Sequence, residues 1–182
     1  PGLMKGYFNN EAANLDFFDK NGFARTGDIA VMNDDGTFDI VDRAKRIGKV
    51  LGYQVYFVEL EQIVDSFEGV ARSYVDILPR LDKDKDTGQL KIDGEMIKVW
   101  LQPKPGATVD LTAIHARLEK ELVFYKVPKL ENIEIMAKPF PETTVLKLDV
   151  RAVKETIVEP ARAAILAKVS TPATKAPKPV VA

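Results

Sequence analysis

The chain has 182 residues, 46% of them hydrophobic and 29% charged, with a net charge of −1 at pH 7. That is an ordinary globular balance for one medium domain, or a small domain with appendages, and nothing in it argues for bulk attraction to nucleic acid or an anionic membrane. With no cysteine and one histidine, disulfides, thiol nucleophiles and Cys- or His-rich metal sites are excluded.

Residues 1 to 42 read as β-rich. Glu11 to Phe18 suits a short helix carrying Leu15, Phe17 and Phe18, and Asn21-Gly22 is a turn signal. Asp28 to Met32 and Thr37 to Val41 flank Asn33-Asp34-Asp35-Gly36, the pattern of a hairpin. Asp28 then starts a strand just after a Thr-Gly bend. A carboxylate there has acceptor sites on both oxygens and suits a vicinal diol. Taken alone, a strand-end Asp capping a turn is the plainer reading.

Asp42 to Val55 follows, with four basic residues in its first eight positions and glycines at 48 and 52. It reads as a basic, partly flexible loop between a strand and a helix. Lys45, Lys49 and nearby backbone amides suit an anion, although charge runs commonly just face water. Phe57 to Phe67 carries apolar residues at 57, 60, 63, 64 and 67, a helical stripe. Glu59 and Glu61 lie off that stripe and are expected to be solvated.

Tyr74 to Leu78 and Met96 to Gln102 read as strands. The polar segment Leu81 to Glu95 between them reads as a disordered loop. Asp110 is a plausible N-cap for a helix whose buried stripe is Leu111, Ile114, Leu118 and Leu122. His115 sits beside that stripe as a surface or boundary residue. Leu130 to Met136 reads as a strand. Leu148 to Ile157 reads as a helix, and Pro160 opens another to about Lys168. Ser170 to Ala182, rich in Pro, Ala, Lys and Thr, reads as a flexible tail.

Four elements occur in order: Arg25-Thr26-Gly27-Asp28, Asp42-Arg43-Ala44-Lys45, Gly52-Tyr53-Gln54-Val55 and Pro141-Glu142-Thr143-Thr144-Val145-Leu146-Lys147. Over roughly residues 1 to 155 they resemble the C-terminal part of the adenylate-forming superfamily, which includes AMP-forming acyl-CoA synthetases, 4-coumarate-CoA ligase-like proteins, luciferases and peptide-synthetase adenylation domains. The opening Pro1 to Asn10 resembles the strand just upstream, and Tyr125-Lys126-Val127-Pro128 resembles the family's Tyr-x-Val-Pro turn.

The resemblance implies an α+β fold, a small mixed sheet of about three strands with packed helices. Before it comes a β-hairpin remnant of the large N-terminal domain. Residues 1-43 would end the large AMP-binding domain, 44-158 would form the mobile lid domain, and 159-182 a helix plus tail. Asp28 would hold the ribose hydroxyls of ATP or AMP, with Thr26 and Arg43 near the nucleotide. Lys45 would be the hinge between adenylate-forming and thiol-transfer orientations, since a hinge is a loop position that absorbs a large φ/ψ change. Lys49 would face the active site in the second orientation, and Gly52 and Tyr53 would border the CoA pantetheine channel. Lys147 would bridge the carboxylate and the α-phosphate during adenylation; its plain alternative is a solvent lysine.

Two departures stand out. Gly48 occupies a commonly apolar position, which is expected to loosen the loop. Leu146 stands where glycine is usual, which restricts the backbone next to Lys147. The implied reaction is carboxylate plus ATP giving acyl-AMP and pyrophosphate, then thiolysis by CoA, with Mg²⁺ accompanying ATP and held mainly outside this chain. The family's phosphate loop, adenine segment and acyl pocket lie upstream of Pro1. The expectation is therefore a fragment or processed chain, inactive without the missing N-terminal domain and a small-molecule carboxylate. The alternatives are service to a carrier protein's phosphopantetheine, or a non-catalytic binding or regulatory remnant. With no signal peptide, membrane-spanning run or terminal Ser-Lys-Leu, the expected location is cytoplasmic.

Overall fold

Residues 2–170 are described by a computed structural model. The chain divides into two compact units, Pro1–Ile47 and Gly48–Ala182. In the first, α1 (Glu11–Phe17) starts at Asn10, whose side chain accepts the Ala13 N–H. The hairpin strands β1 (Asp28–Met32) and β2 (Phe38–Arg43) pair antiparallel with a bulge between Ile29 and Ala30. Their connection closes as the Asn33-Gly composition demands: Asn33 N–H donates to Thr37 O, and Gly36, at φ +83°, donates to Asn33 O.

A 3-10 turn (Ala44–Arg46) leads to β3 (Ile47–Val50) and β4 (Tyr53–Tyr56), which form a two-stranded sheet. The basic stretch expected to be a flexible loop is therefore largely a hairpin. Its two-residue turn has Leu51 at φ +53° and Gly52 at φ +84°, the positive pair that matches the twist of flanking strands. Nor is the hairpin loosened at Gly48. A Cβ there would lie 2.4 Å from Ile77 Cγ1 and 2.8 Å from the Phe57 ring, so the missing side chain is replaced by its neighbours.

The second unit is built on a three-stranded sheet in the order β5-β6-β7, where β5 is Val70–Lys83, β6 is Leu90–Pro103 and β7 is Ile133–Ile135. β5 and β6 pair antiparallel; β6 and β7 pair parallel. This is the α+β mixed sheet expected. Because strand side chains alternate faces, Val75, Ile97, Val99 and Leu101 join one cluster with α2 (Phe57–Asp65) and α3 (Leu111–Glu121). Tyr74, Leu78 and Trp100 join the other, with Phe140, Val153 and Val158. Asp110 caps α3 by accepting the Thr112 and Ala113 N–H groups, as expected, and Leu60, Val64, Ile114 and Leu118 are buried.

Four further expectations need correction. Segment 81–95 is not a disordered loop: β5 and β6 continue as a hairpin through the pairs Leu81↔Ile92, Asp82↔Lys91 and Lys83↔Leu90. Opposite charges facing across strands stabilise it, and the Asp84 carboxylate ties its tip to the Thr87 and Asp86 amides and to Lys91 Nζ. Glu59 and Glu61 are not merely solvated. Glu59 pairs with Lys126 at 2.6 Å, and Glu61 accepts the Val75 N–H at 2.8 Å. The two helices near the end form one run, α4 (Val150–Val153), a π turn (Lys154–Val158) and α5 (Glu159–Ser170). Pro160 supplies no N–H donor and crowds the preceding turn, and a π turn is one way a helix absorbs that. Finally, the strand expected from Leu130 begins as a 3-10 turn (Leu130–Asn132), leaving only Ile133–Ile135 paired.

His115 is half-buried beside α3's stripe, 3.5 Å from Glu119. No helix among the described residues is long and apolar enough to cross a membrane. The 171–182 tail lies outside the described residues.

Candidate nucleotide and lysine-loop site

Three of the expected site residues meet in the first unit. Gly27, at φ +77°, bends the chain into β1, and the Thr26 hydroxyl accepts the Asp28 N–H at 3.2 Å. Asp28 pairs in register with Arg43 at the open end of the hairpin. The Arg43 guanidinium therefore reaches both neighbours: Nε lies 3.3 Å from Asp28 Oδ1, and Nη2 donates to Thr26 O at 2.9 Å. One arm of the planar guanidinium thus faces a carboxylate oxygen and another the Thr26 carbonyl. The Asp28 side chain remains 29% exposed, so its carboxylate has acceptor capacity left for a diol. Ala44 N–H donates to Gly27 O at 2.8 Å and closes the group.

Lys45 lies in the 3-10 turn immediately before the boundary between the units; its side chain lies outside the described set. In the second unit, Lys49, Gly52 and Tyr53 sit on the β3–β4 hairpin, all exposed. Nothing lies within 4 Å of a Cβ added at Gly52, so within this unit the glycine answers a left-handed turn. Tyr53 stacks on Tyr125 with centroids 4.5 Å apart and planes 18° apart, and Phe124 meets Tyr125 edge-on at 5.5 Å. Sequence reading placed Tyr125 only in a turn; the adjacent pair Phe124-Tyr125 in an exposed turn was the available signal. A groove of about 540 Å³ opens beside these residues, with Leu51, Arg80, Glu95, Tyr125 and Pro128 in its lining.

Lys147 occupies a separate, tightly closed loop. Glu142 and Leu148 form an isolated bridge, Thr143 N–H donates to Lys147 O at 2.8 Å, and Leu146 N–H donates to Thr143 O at 2.9 Å. The Thr143 hydroxyl accepts the Lys147 N–H at 3.3 Å. Leu146 adopts φ +58° and is 75% exposed. The left-handed conformation that suits glycine is thus retained with a side chain in place, at a cost of about 1–2 kcal/mol. Lys147 itself is exposed. The structure therefore brings Thr26, Asp28 and Arg43 into one cluster, sets Lys49, Gly52 and Tyr53 on one hairpin, and gives Lys147 its own loop.

No family model matches the chain. Over 132 residues, 72% of the chain, it is 36% identical to a Dictyostelium discoideum protein named "Probable 4-coumarate--CoA ligase 3", of which it covers 21%. It is 33% identical over 165 residues to luciferin 4-monooxygenase from Photinus pyralis, covering 87% of this chain and 27% of that protein. In structure it is similar to ATP-bound MatB from Rhodopseudomonas palustris, with a TM-score of 0.66 and 26% identity over 85% of this chain and 28% of that one. The chain spans about a quarter of the length of the curated relatives it matches. Sequence and fold agree, and the chain belongs to the adenylate-forming superfamily of acyl-CoA synthetases and 4-coumarate-CoA ligase-like proteins, carrying the fold of its C-terminal domain.

Proposed function

We propose that this chain is the C-terminal portion of an AMP-forming acyl- or aryl-CoA ligase, with a nucleotide contact in its first unit and an adenylation lysine in its second. The observation that carries the reading is the Thr26–Asp28–Arg43 cluster. An exposed strand-end carboxylate, oriented by a guanidinium, is a diol acceptor poised for a nucleotide ribose. Lys147 supports it from its closed loop. An ammonium there stabilises charge on phosphate oxygens as a carboxylate oxygen bonds to the α-phosphorus and pyrophosphate departs. Lys45 then serves as the hinge, and Lys49, Gly52 and Tyr53 border the path of the CoA thiol, which attacks the acyl carbonyl and releases AMP.

By the family resemblance, the Mg²⁺ that accompanies ATP is assigned mainly to the remainder of the enzyme. The exposed apolar side chains Val31, Met32, Phe38 and Ile40 of the first hairpin support a larger domain partner in the same polypeptide. A carboxylic acid is the substrate class, residues 1-43 are the end of the nucleotide-binding domain, 44-158 the lid and 159-182 its helical extension.

The test is carboxylate-dependent pyrophosphate release by the full-length polypeptide. Lys147→Ala is expected to lower it at least a hundredfold while leaving thioester formation from supplied acyl-adenylate within a few-fold, on the scale of one lost transition-state contact, roughly 10²–10³. Equal loss of both half-reactions refutes the role given to Lys147.

A further inference from the structure

The loop that carries Lys147 is short and exposed, yet its root is held to the sheet at two points by one cross-strand pair. Arg72 on β5 and Gln102 on β6 are register partners, just past a bulge between Val70 and Arg72. Bulges re-aim side chains at strand ends. By alternation Arg72 shares its face with Tyr74, and Gln102 shares its face with Trp100; both of those rings belong to the buried cluster that includes Phe140.

From this pair two contacts reach the loop. Arg72 Nη1 lies 3.0 Å from Glu142 Oε1, and Gln102 Oε1 accepts the Phe140 N–H at 2.8 Å. Phe140 is 3% exposed, so the loop enters from a buried anchor. On the exit side, Asp149 N–H donates to Pro141 O at 2.9 Å, and the Asp149 side chain caps α4 by accepting the Ala152 N–H. Between these fixed ends only Thr143 to Leu148 remain, and the Thr143–Lys147 hydrogen bonds close them. The direction in which Lys147 leaves the domain is therefore set where residues 140 to 142 meet the sheet.

We propose that Arg72 and Gln102 are positioning residues for Lys147, a clamp that fixes the root of its loop so that the ammonium arrives in register with the reacting phosphate. The proposal rests on the adenylation role given to Lys147 above. Arg72 acts through the Glu142 side chain and Gln102 through the Phe140 amide, and small displacements of a reacting group carry large rate penalties.

The experiment has two readouts. Amide hydrogen exchange in this chain is followed for Arg72→Glu, Gln102→Leu and the charge-swapped Arg72→Glu/Glu142→Arg. Faster exchange is expected at Phe140 and at 143–147 in the first two, with α3 amides unchanged and the swap restored. In the full-length polypeptide, the first two variants are expected to lose about tenfold in kcat for pyrophosphate release, with KM for ATP unchanged. Thioester formation from supplied acyl-adenylate is expected to stay within twofold, and both the swap and Gln102→Glu, which keeps an acceptor for Phe140 N–H, are expected to recover the rate. Unchanged exchange at 140–147 overturns the clamp. Faster exchange with both half-reactions unaffected, or both reduced alike, overturns the positioning role. Should Lys147→Ala itself spare pyrophosphate release, the adenylation reading fails, and the exchange data still decide whether the clamp exists.

Discussion

The two units contain similar apolar residues and use them in opposite ways. Every buried hydrophobic side chain among the described residues lies at Val50 or beyond, whereas Phe8, Met32, Phe38 and Ile40 of the first unit stand well exposed. The second unit closes two clusters on the faces of one sheet and carries its own stability. The first is held by turns, a hairpin ladder and the Arg43 fork, and a lone two-stranded hairpin is marginal in water. Burial thus marks the self-sufficient fold, while the Thr26–Asp28–Arg43 cluster sits on the part without buried hydrophobic side chains among the described residues.

The sharpest way to break this comparison is to truncate one side chain in each unit. Trp100→Ala removes a fully enclosed ring from the second cluster and is expected to cost about 3–5 kcal/mol. Ile40→Ala, at 71% exposure, is expected to stay within about 0.5 kcal/mol. Urea unfolding of the two variants reads both numbers. A loss near 3 kcal/mol at Ile40 shows a buried hairpin and ends the contrast.

The boundary supplies the next test. Gly48→Val pushes a branched side chain into Ile77 and Phe57 and is expected to cost about 1–3 kcal/mol or more through overpacking. Gly52→Ala meets no atom within 4 Å but must hold φ +84°, and about 1 kcal/mol is expected there. The same melts distinguish them. Equal costs mean that Gly48, like Gly52, is kept for backbone conformation instead of close packing.

These sites also show what the sequence could reveal. Stripes of period 3.6 located α2 and α3, and the Asn-Asp-Asp-Gly turn located the first hairpin, because both signals are local. The hairpin at 81–95 was not legible. Its composition is that of a solvated loop, and its order comes from facing charges, Arg80 with Asp93 at 3.0 Å and Asp82 opposite Lys91. Glu61 looked solvated because helical periodicity says nothing about an outward-facing amide on a strand 14 residues away. Gly48 looked loosening because its packing partners lie at 57 and 77. Of the candidate site, Thr26, Asp28 and Arg43 were readable from motif order. The stacking of Tyr125 on Tyr53 joins residues 72 positions apart, and the reach of Arg72 to Glu142 spans 70, distances over which a single sequence carries no pattern.

Leu146 lends itself to a gentler perturbation of the second unit. Leu146→Gly removes the left-handed strain but adds freedom to the unfolded chain, so a net gain of at most about 1 kcal/mol is expected. Pyrophosphate release is expected to hold or rise. A fall in stability shows that the added freedom of the unfolded chain, with any contacts of the exposed leucine, outweighs its backbone cost.

The smallest effect belongs to the tip of the β5–β6 hairpin, where order without a core, the condition of the first unit, recurs inside the second. The Thr87 backbone amide, then Lys91, the Thr87 hydroxyl and the Asp86 amide hold the Asp84 carboxyl well below its ordinary value of 3.8. A depressed carboxyl contributes stability above its unfolded pKa, and that contribution is lost as pH falls through the folded one. The local exchange protection that separates the native chain from Asp84→Ala should therefore be full at pH 7 and shrink as pH drops below the ordinary carboxylate range. Salt at 1 M should remove only the part owed to Lys91, because an exposed ion pair is screened and amide hydrogen bonds are not. Protection in the native chain that survives to pH 1.5 unchanged would place the order of the tip in its strand pairing and leave the carboxylate without a role.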